Sequence, residues 1–385
     1  MISYTQQQEH LARQLQAVAR FAPSRSINSA MEGILVTVDE GSITYEASDP
    51  EVGLSVVTRE VAPQLSGSER QFILPARAVG VVSSLPRGQF ISVETPGGAG
   101  KVTIRCGKSR YSFMGTDPLD FPRHVAGEEG EGLTITAEDL DILTRATVPF
   151  AGKDMGRPMF TGVHWAPSAC GEWLTAEATD SYRVSVCTVP ARSDLPAGSS
   201  ILIPPKVLQE ISALKFSGCE VSVRVRPGRV LFNAEVVGET YTFRSALLDA
   251  SFPDVGKVIP DDNPTRATMQ REDILSALNR LVMVTDSERS IVRVQVTGDG
   301  MSISVESNAG DAAEDIFTTG IECGEDVDVY FNGKYLVDAV KSIPTGDISF
   351  AMGGRARNSP CTIRPCRDGE DVPGRVNFIL PVKMD

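Results

Sequence analysis

In the stretch QQEHLARQLQAVARF near the start of the chain, Leu11, Leu15, Val18 and Ala19 recur at a spacing that puts them on one face of a helix. The same periodicity returns in EDLDILTRATVPF from Glu138 and in EDILSALNRLVMV from Glu272. A second kind of helical segment follows a short apolar run and opens on Pro or Asn: LPARAVGVVSSLP from Leu74, IPPKVLQEISALK from Ile203 and FNGKYLVDAVKSIP from Phe331. Proline is tolerated there because the first-turn amide has no intrahelical partner. Six helices are predicted, over residues 6–21, 75–87, 137–153, 204–215, 271–284 and 331–343. The segments between them are rich in Val, Ile and Thr and are predicted as strands.

The order helix, strands, helix, strands occurs three times, so the chain reads as three copies of one unit. YSFMGTDPLDFP from Tyr111 is echoed by YTFRSALLDASFPD from Tyr241. EASDPEVGLSV from Glu46 is echoed by EATDSYRVSV from Glu177, and more distantly by VESNAGDAAE from Val305. Two segments without apolar periodicity, HVAGEEGEGL from His124 and IPDDNPTRAT from Ile259, separate the copies. The expected domains are 1–126, 127–260 and 261–385, each with two helices and about eight strands, in an α+β architecture with helices on one face of antiparallel sheet.

Composition narrows the function. At 385 residues the chain exceeds what one core usually supports, and 41% hydrophobic with 23% charged residues is ordinary for a globular protein. No apolar run is long enough to span a bilayer and MISYTQQQEHLARQ lacks the features of a signal peptide, so a cytoplasmic location is expected, with no membrane partner. Seven cysteines without a Cys-x-x-Cys pair, including Cys361 and Cys366 in CTIRPC, are expected to be reduced thiols. His10, His124 and His164 each stand apart in sequence from an obvious nucleophile or ligand partner, so neither a metal nor a cofactor is expected.

GGAGKVT, residues 97–103, has the look of a phosphate-binding loop, but that pattern needs Gly where Thr95 stands; lying between ISVE and VTIRC, it is expected to close a hairpin. The net charge of -13 argues against simple adhesion to nucleic acid. Its distribution changes that picture. The six predicted helices hold 12 basic and 8 acidic residues, leaving 25 basic and 42 acidic elsewhere. Helices 6–21, 75–87, 204–215 and 331–343 are net positive, 271–284 is neutral and 137–153 is net negative. Asp180 and Arg183 in TDSYR are open to two readings: an acid and an anion clamp of a DNA-processing enzyme, or a turn former and a structural cation.

Taken in series, SDPEVGL from Ser48, LPAR from Leu74, SRYSF from Ser109, DFP from Asp120, ATDSYRV from Ala178, IPPKVL from Ile203, FPDVGKVIP from Phe252, FNGKYLVDAV from Phe331 and ILPVKM from Ile379 resemble the bacterial sliding clamp, the beta subunit of DNA polymerase III. The resemblance covers essentially the whole chain. It implies a non-catalytic processivity factor whose three-domain chains pair head to tail into a homodimeric ring around double-stranded DNA. It also implies partners: the replicative polymerase subunit, a clamp loader, and repair polymerases bearing clamp-binding peptides. Carried over motif by motif, the partner-peptide groove maps to Phe160, Thr179, Tyr182, Arg183, Val184, Pro253, Val258, Tyr335, Ile379, Leu380, Pro381, Val382 and Met384. Arg25, Lys153 and Lys206 map to DNA contacts. The chain departs from the family in carrying Ser181-Tyr182-Arg183 where Gly-His-Arg is common, and in ending Lys383-Met384-Asp385 instead of Arg-Leu.

Overall fold

The computed structural model describes residues 1–385 except 60, 123–129, 261–262, 286–289, 308–309, 345, 354–358 and 384–385. All six predicted helices form: α1 Gln8–Ala19, α2 Arg77–Ser84, α3 Ala137–Thr147, α4 Pro205–Ala213, α5 Arg271–Val284 and α6 Gly333–Ser342. Their ends follow local chemistry. Pro205 opens α4, and the Asn332 side chain accepts from the amides of Lys334 and Tyr335 to cap α6. Leu11, Leu15 and Val18 of α1 are fully buried, as are Ile274, Leu278 and Leu281 of α5, each contributing about 1.5–3 kcal/mol by leaving water.

Contacts divide the chain into two compact units, one of residues 1–137 with 210–247 and the other of 138–209 with 248–385. In the first, Ile2–Gln7 lies between Gln64–Leu65 and Phe90–Thr95, and the sheet continues through Lys101–Cys106 to Ser109–Met114. The turn between Phe90–Thr95 and Lys101–Cys106 carries Gly97 and Gly98, both at positive φ, so GGAGKVT closes a hairpin. A second antiparallel sheet in this unit runs Gly132–Thr136, Glu220–Arg226, Arg229–Val236, Glu239–Ala246, Val52–Thr58, Ile43–Ser48, Gly33–Val38, Gln71–Pro75. Here Glu239–Ala246, from the middle repeat, pairs with Val52–Thr58, from the first, Tyr241 facing Val56.

The second unit is built likewise. One antiparallel sheet runs Ile201–Ile203, Val163–Pro167, Trp173–Thr179, Arg183–Pro190, Arg375–Ile379, Cys361–Arg367, Asp347–Met352, Thr265–Gln270, Thr318–Cys323. The join between repeats is Arg183–Pro190 on Arg375–Ile379, with Val184 facing Phe378. Another sheet runs Gly310–Ile316, Gly300–Ser307, Ile291–Thr297, Val327–Asn332. Cys361 and Cys366 are buried free thiols, and burial pushes both up in pKa. No helix among the described residues is long and apolar enough to cross a membrane, and no described group of His, Cys, Asp and Glu is arranged to hold a metal.

The isolation of His164 holds only along the chain. In the fold its Nδ1 lies 2.8 Å from Glu177 and its Nε2 2.9 Å from Ser200, with its ring stacked on Phe252. These residues sit on or beside adjacent strands, Glu177 directly across from His164 in register, and Ser200 is exposed just before Ile201–Ile203. Cross-strand neighbours of this kind are invisible to sequence spacing.

Candidate functional site

The echo that marks the repeats is a turn held by one carboxylate. Asp180 Oδ1 accepts from the amides of Tyr182 (3.0 Å) and Arg183 (3.1 Å), and in the first repeat Asp49 Oδ1 accepts from Glu51 (2.8 Å) and Val52 (2.7 Å). A short carboxylate closing onto its own backbone is what Asp offers a turn. In the middle copy Thr179 adds a second clasp: its Oγ1 donates to the carbonyl of Arg183 and accepts from the Ser181 amide. Ser181, standing where the resembled family commonly has Gly, is held at φ 77°. A side chain in that region costs about 1–2 kcal/mol. The Arg157 guanidinium donates to its hydroxyl at 3.1 Å.

Arg183 emerges from this turn into a full shell of partners. Nε donates to Asp180 at 2.9 Å, Nη1 to Asp338 at 2.7 Å and Nη2 to the Pro149 carbonyl at 2.6 Å. Its Cζ lies 4.1 Å from the centre of the Tyr335 ring and 4.9 Å from that of Phe150. The side chain is 8% exposed. A planar fork with two carboxylates, a carbonyl and two aromatic faces is a locked cation that fixes its neighbours. Burial, then the Asp180 carboxylate, pushes the Tyr335 hydroxyl above its ordinary pKa. Asp180 thus behaves as the turn former, with both oxygens engaged.

Around this node lies a cleft of about 650 Å³, lined by Val148, Pro149, Gly152, Lys153, Asp154, Arg157, Phe160, Asp180, Tyr182, Arg183, Gln209, Tyr335 and Asp338, among others. Of the groove residues mapped by resemblance it gathers Phe160, Tyr182, Arg183 and Tyr335. Tyr182 is 58% exposed, and Arg157 lies 5.5 Å over the Phe160 ring. Asp154 is held below the ordinary carboxylate range by the Gly156 amide and then by Arg157.

The other mapped groove residues fall into three groups. Thr179, Val184 and Ile379 are buried: Val184 packs with Val255 and Phe378, and the half-buried Val186, Phe252 and Ile259 close over them. Pro253 and Val258 lie exposed on the loop that provides Phe252, Val255 and Ile259. The tail is tied down by its backbone, Leu380 N–H to the Tyr182 carbonyl at 2.9 Å and Val382 N–H to the Tyr330 carbonyl at 2.7 Å, with Pro381 between them half-buried. Met384 lies outside the described residues. Of the mapped DNA contacts, Lys153 is exposed on the cleft lining, Lys206 is exposed at the start of α4, and Arg25 is exposed in the loop after α1. Asp338 and Arg157 escaped the sequence reading. Asp338 follows Tyr335 by three residues on α6 and therefore shares its face, a signal that was present.

Comparison with known proteins gives a consistent result. Family models of the DNA polymerase III beta subunit match in chain order: the N-terminal domain over residues 2–125, the central domain over 134–254 and the C-terminal domain over 256–373. The beta sliding clamp of Bacillus subtilis is 28% identical, with 99% of this chain and 100% of the relative covered, and that of Vibrio cholerae is 26% identical, with both chains fully covered. Among solved structures, the Bacillus subtilis DNA polymerase sliding clamp matches with TM-score 0.85 and 26% identity over 100% of both chains. The fold is also that of a Pseudomonas aeruginosa sliding clamp bound to griselimycin, TM-score 0.86 at 21% identity over 100% of both chains.

Proposed function

The chain belongs to the DNA polymerase III beta subunit family, and from that membership we propose that it works as a sliding clamp, a non-catalytic cytoplasmic ring that keeps its polymerase on duplex DNA. The observation that carries this reading is the tiling of N-terminal, central and C-terminal beta-subunit domains, in order, over residues 2–373. That tiling also supports the three-domain division at 1–126, 127–260 and 261–385.

Strand pairing supports the homodimer. The strand after the first repeat's Asp turn, Val52–Thr58, pairs with the last strand of the second repeat, Glu239–Ala246. The strand after the second repeat's turn, Arg183–Pro190, pairs with the last strand of the third, Arg375–Ile379. By the same rule two strands are left over: Gly310–Ile316 of the third repeat and Ser109–Met114 of the first, each the end strand of its sheet among the described residues. Pairing the first of these on one copy with the second on another is head to tail, and used twice it closes a ring. Charge favours it, since Gly310–Ile316 carries Asp311 and Asp315, Glu314 being already paired with Arg280, while Arg110 lies on Ser109–Met114 with Lys108 just before it.

Duplex DNA would then be held topologically, through loose phosphate contacts for which Arg25, Lys153 and Lys206 are candidates. Once placed on a nicked circle by a clamp loader, the protein should stay, and should be lost within minutes of linearisation. Equal loss from circular and linear DNA would refute the reading. The Tyr182–Tyr335 cleft, the loop bearing Pro253 and Val258, and the tail through Val382 and Met384 are proposed to take short peptides of the replicative polymerase subunit and repair polymerases, at roughly micromolar strength. Truncation after Ile379 should abolish peptide binding in calorimetry and leave the dimer intact in light scattering. Unchanged peptide affinity would displace the groove from this position.

A further inference from the structure

Helix α3, the start of α5, the end of α6 and the strand Arg375–Ile379 border a second cleft of about 620 Å³ in the second unit. Its charged lining sets Arg145, Arg271, Lys341 and Arg375 against Asp141 and Asp338. Both carboxylates are already engaged, Asp141 by Arg145 at 2.5 Å and Asp338 by Arg183 at 2.7 Å. Arg271 is satisfied too, by Glu272 and by the carbonyls of Val340 and Lys341. Lys341 and Arg375 remain, neither with a carboxylate in ion-pair reach among the described residues.

Arg375 is the unusual one. It is 8% exposed; among the described residues its Nη2 donates to the Ser342 carbonyl and its buried Nε has no acceptor. Burial lowers its pKa, with only the neighbouring Cys187 pulling the other way, and that thiol is itself pushed up by burial and so neutral. A guanidinium keeps its proton at any ordinary pH, so this is a buried positive charge without a counter-charge among the described residues. Such a charge is costly unless something pairs with it.

We propose that this cleft binds a phosphoryl group, with the Arg375 fork and the Lys341 ammonium as its two cationic walls. Two unpaired cations suit a dianion, and a tetrahedral oxyanion accepts both a planar fork and a point charge. The group comes either from free phosphate or from a nucleic-acid backbone, and the same chemistry serves both.

The test is calorimetric titration of the full chain with sodium phosphate against sodium chloride at matched ionic strength, repeated on Arg375→Met and Lys341→Gln. Saturable phosphate binding is expected, weakened roughly tenfold or more in Arg375→Met and several-fold in Lys341→Gln. Absence of saturable heat, or equal affinity in the variants, overturns the proposal. Lys341 is exposed and its side chain makes no hydrogen bond or ion pair among the described residues, so its variant decides the question even if Arg375→Met is poorly folded. A short blunt duplex added to the phosphate-bound protein then names the source: displacement assigns backbone phosphate, and simultaneous binding assigns free phosphate.

Discussion

Arg183 and Arg375 lie on strands that pair with one another, and each side chain is 7–8% exposed, yet they are opposites. Arg183 has two carboxylates, a carbonyl and two aromatic faces. Arg375 has, among the described residues, one carbonyl and an idle Nε. Burial alone therefore does not say what a cation is for. A saturated cation organises its neighbours and is hard to remove, whereas an unsaturated one is a stability defect that a ligand would repair.

The largest expected effect separates the two directly. Arg183→Met takes the guanidinium from Asp180, which keeps the amides of residues 182 and 183, and leaves Asp338 with no ion-pair partner among the described residues; it should cost about 3 kcal/mol in urea unfolding, tempered by the partial exposure of Asp338. Arg375→Met, in buffer free of oxyanions, should match the parent or exceed it by about 1–2 kcal/mol. Equal losses in the two variants would erase the distinction. A smaller gain, about 1 kcal/mol in the same assay, is expected for Ser181→Gly, which relieves the positive φ beside Arg183 and loses only an exposed contact to Arg157. The smallest effect concerns Arg157, an exposed arginine against the two buried ones. Its partner Asp154 has a depressed folded pKa, so whatever the pair contributes is present above the unfolded carboxylate value of about 4 and is lost as pH falls through the folded one. A carboxyl carbon titration by NMR should give Asp154 a midpoint below that value, and Arg157→Gln should raise it.

Helix positions were legible because apolar spacing and first-turn Pro or Asn are local signals, and Asp180 was legible as a turn former because the turn closes within three residues. The pairing of Val52–Thr58 with Glu239–Ala246 was not, since strand partners are chosen by whole faces nearly two hundred residues apart. His164 shows the same limit: Glu177 and Ser200 reach it only across neighbouring strands. Arg375 reads in sequence as one more cation near the tail. Its burial is set by α6 and by the strand that carries Cys187, which no window around residue 375 contains.

The two leftover strand edges also bear on misassembly. An acidic edge laid against its own copy would set Asp311 and Asp315 against like charges, and an edge bearing Arg110 and Lys108 would meet the same penalty. Each edge thus acts as a gatekeeper against itself. In a crowded cell, where newly made chains expose unpaired backbone before finding a partner, this selectivity would steer them from stacking like on like into aggregates.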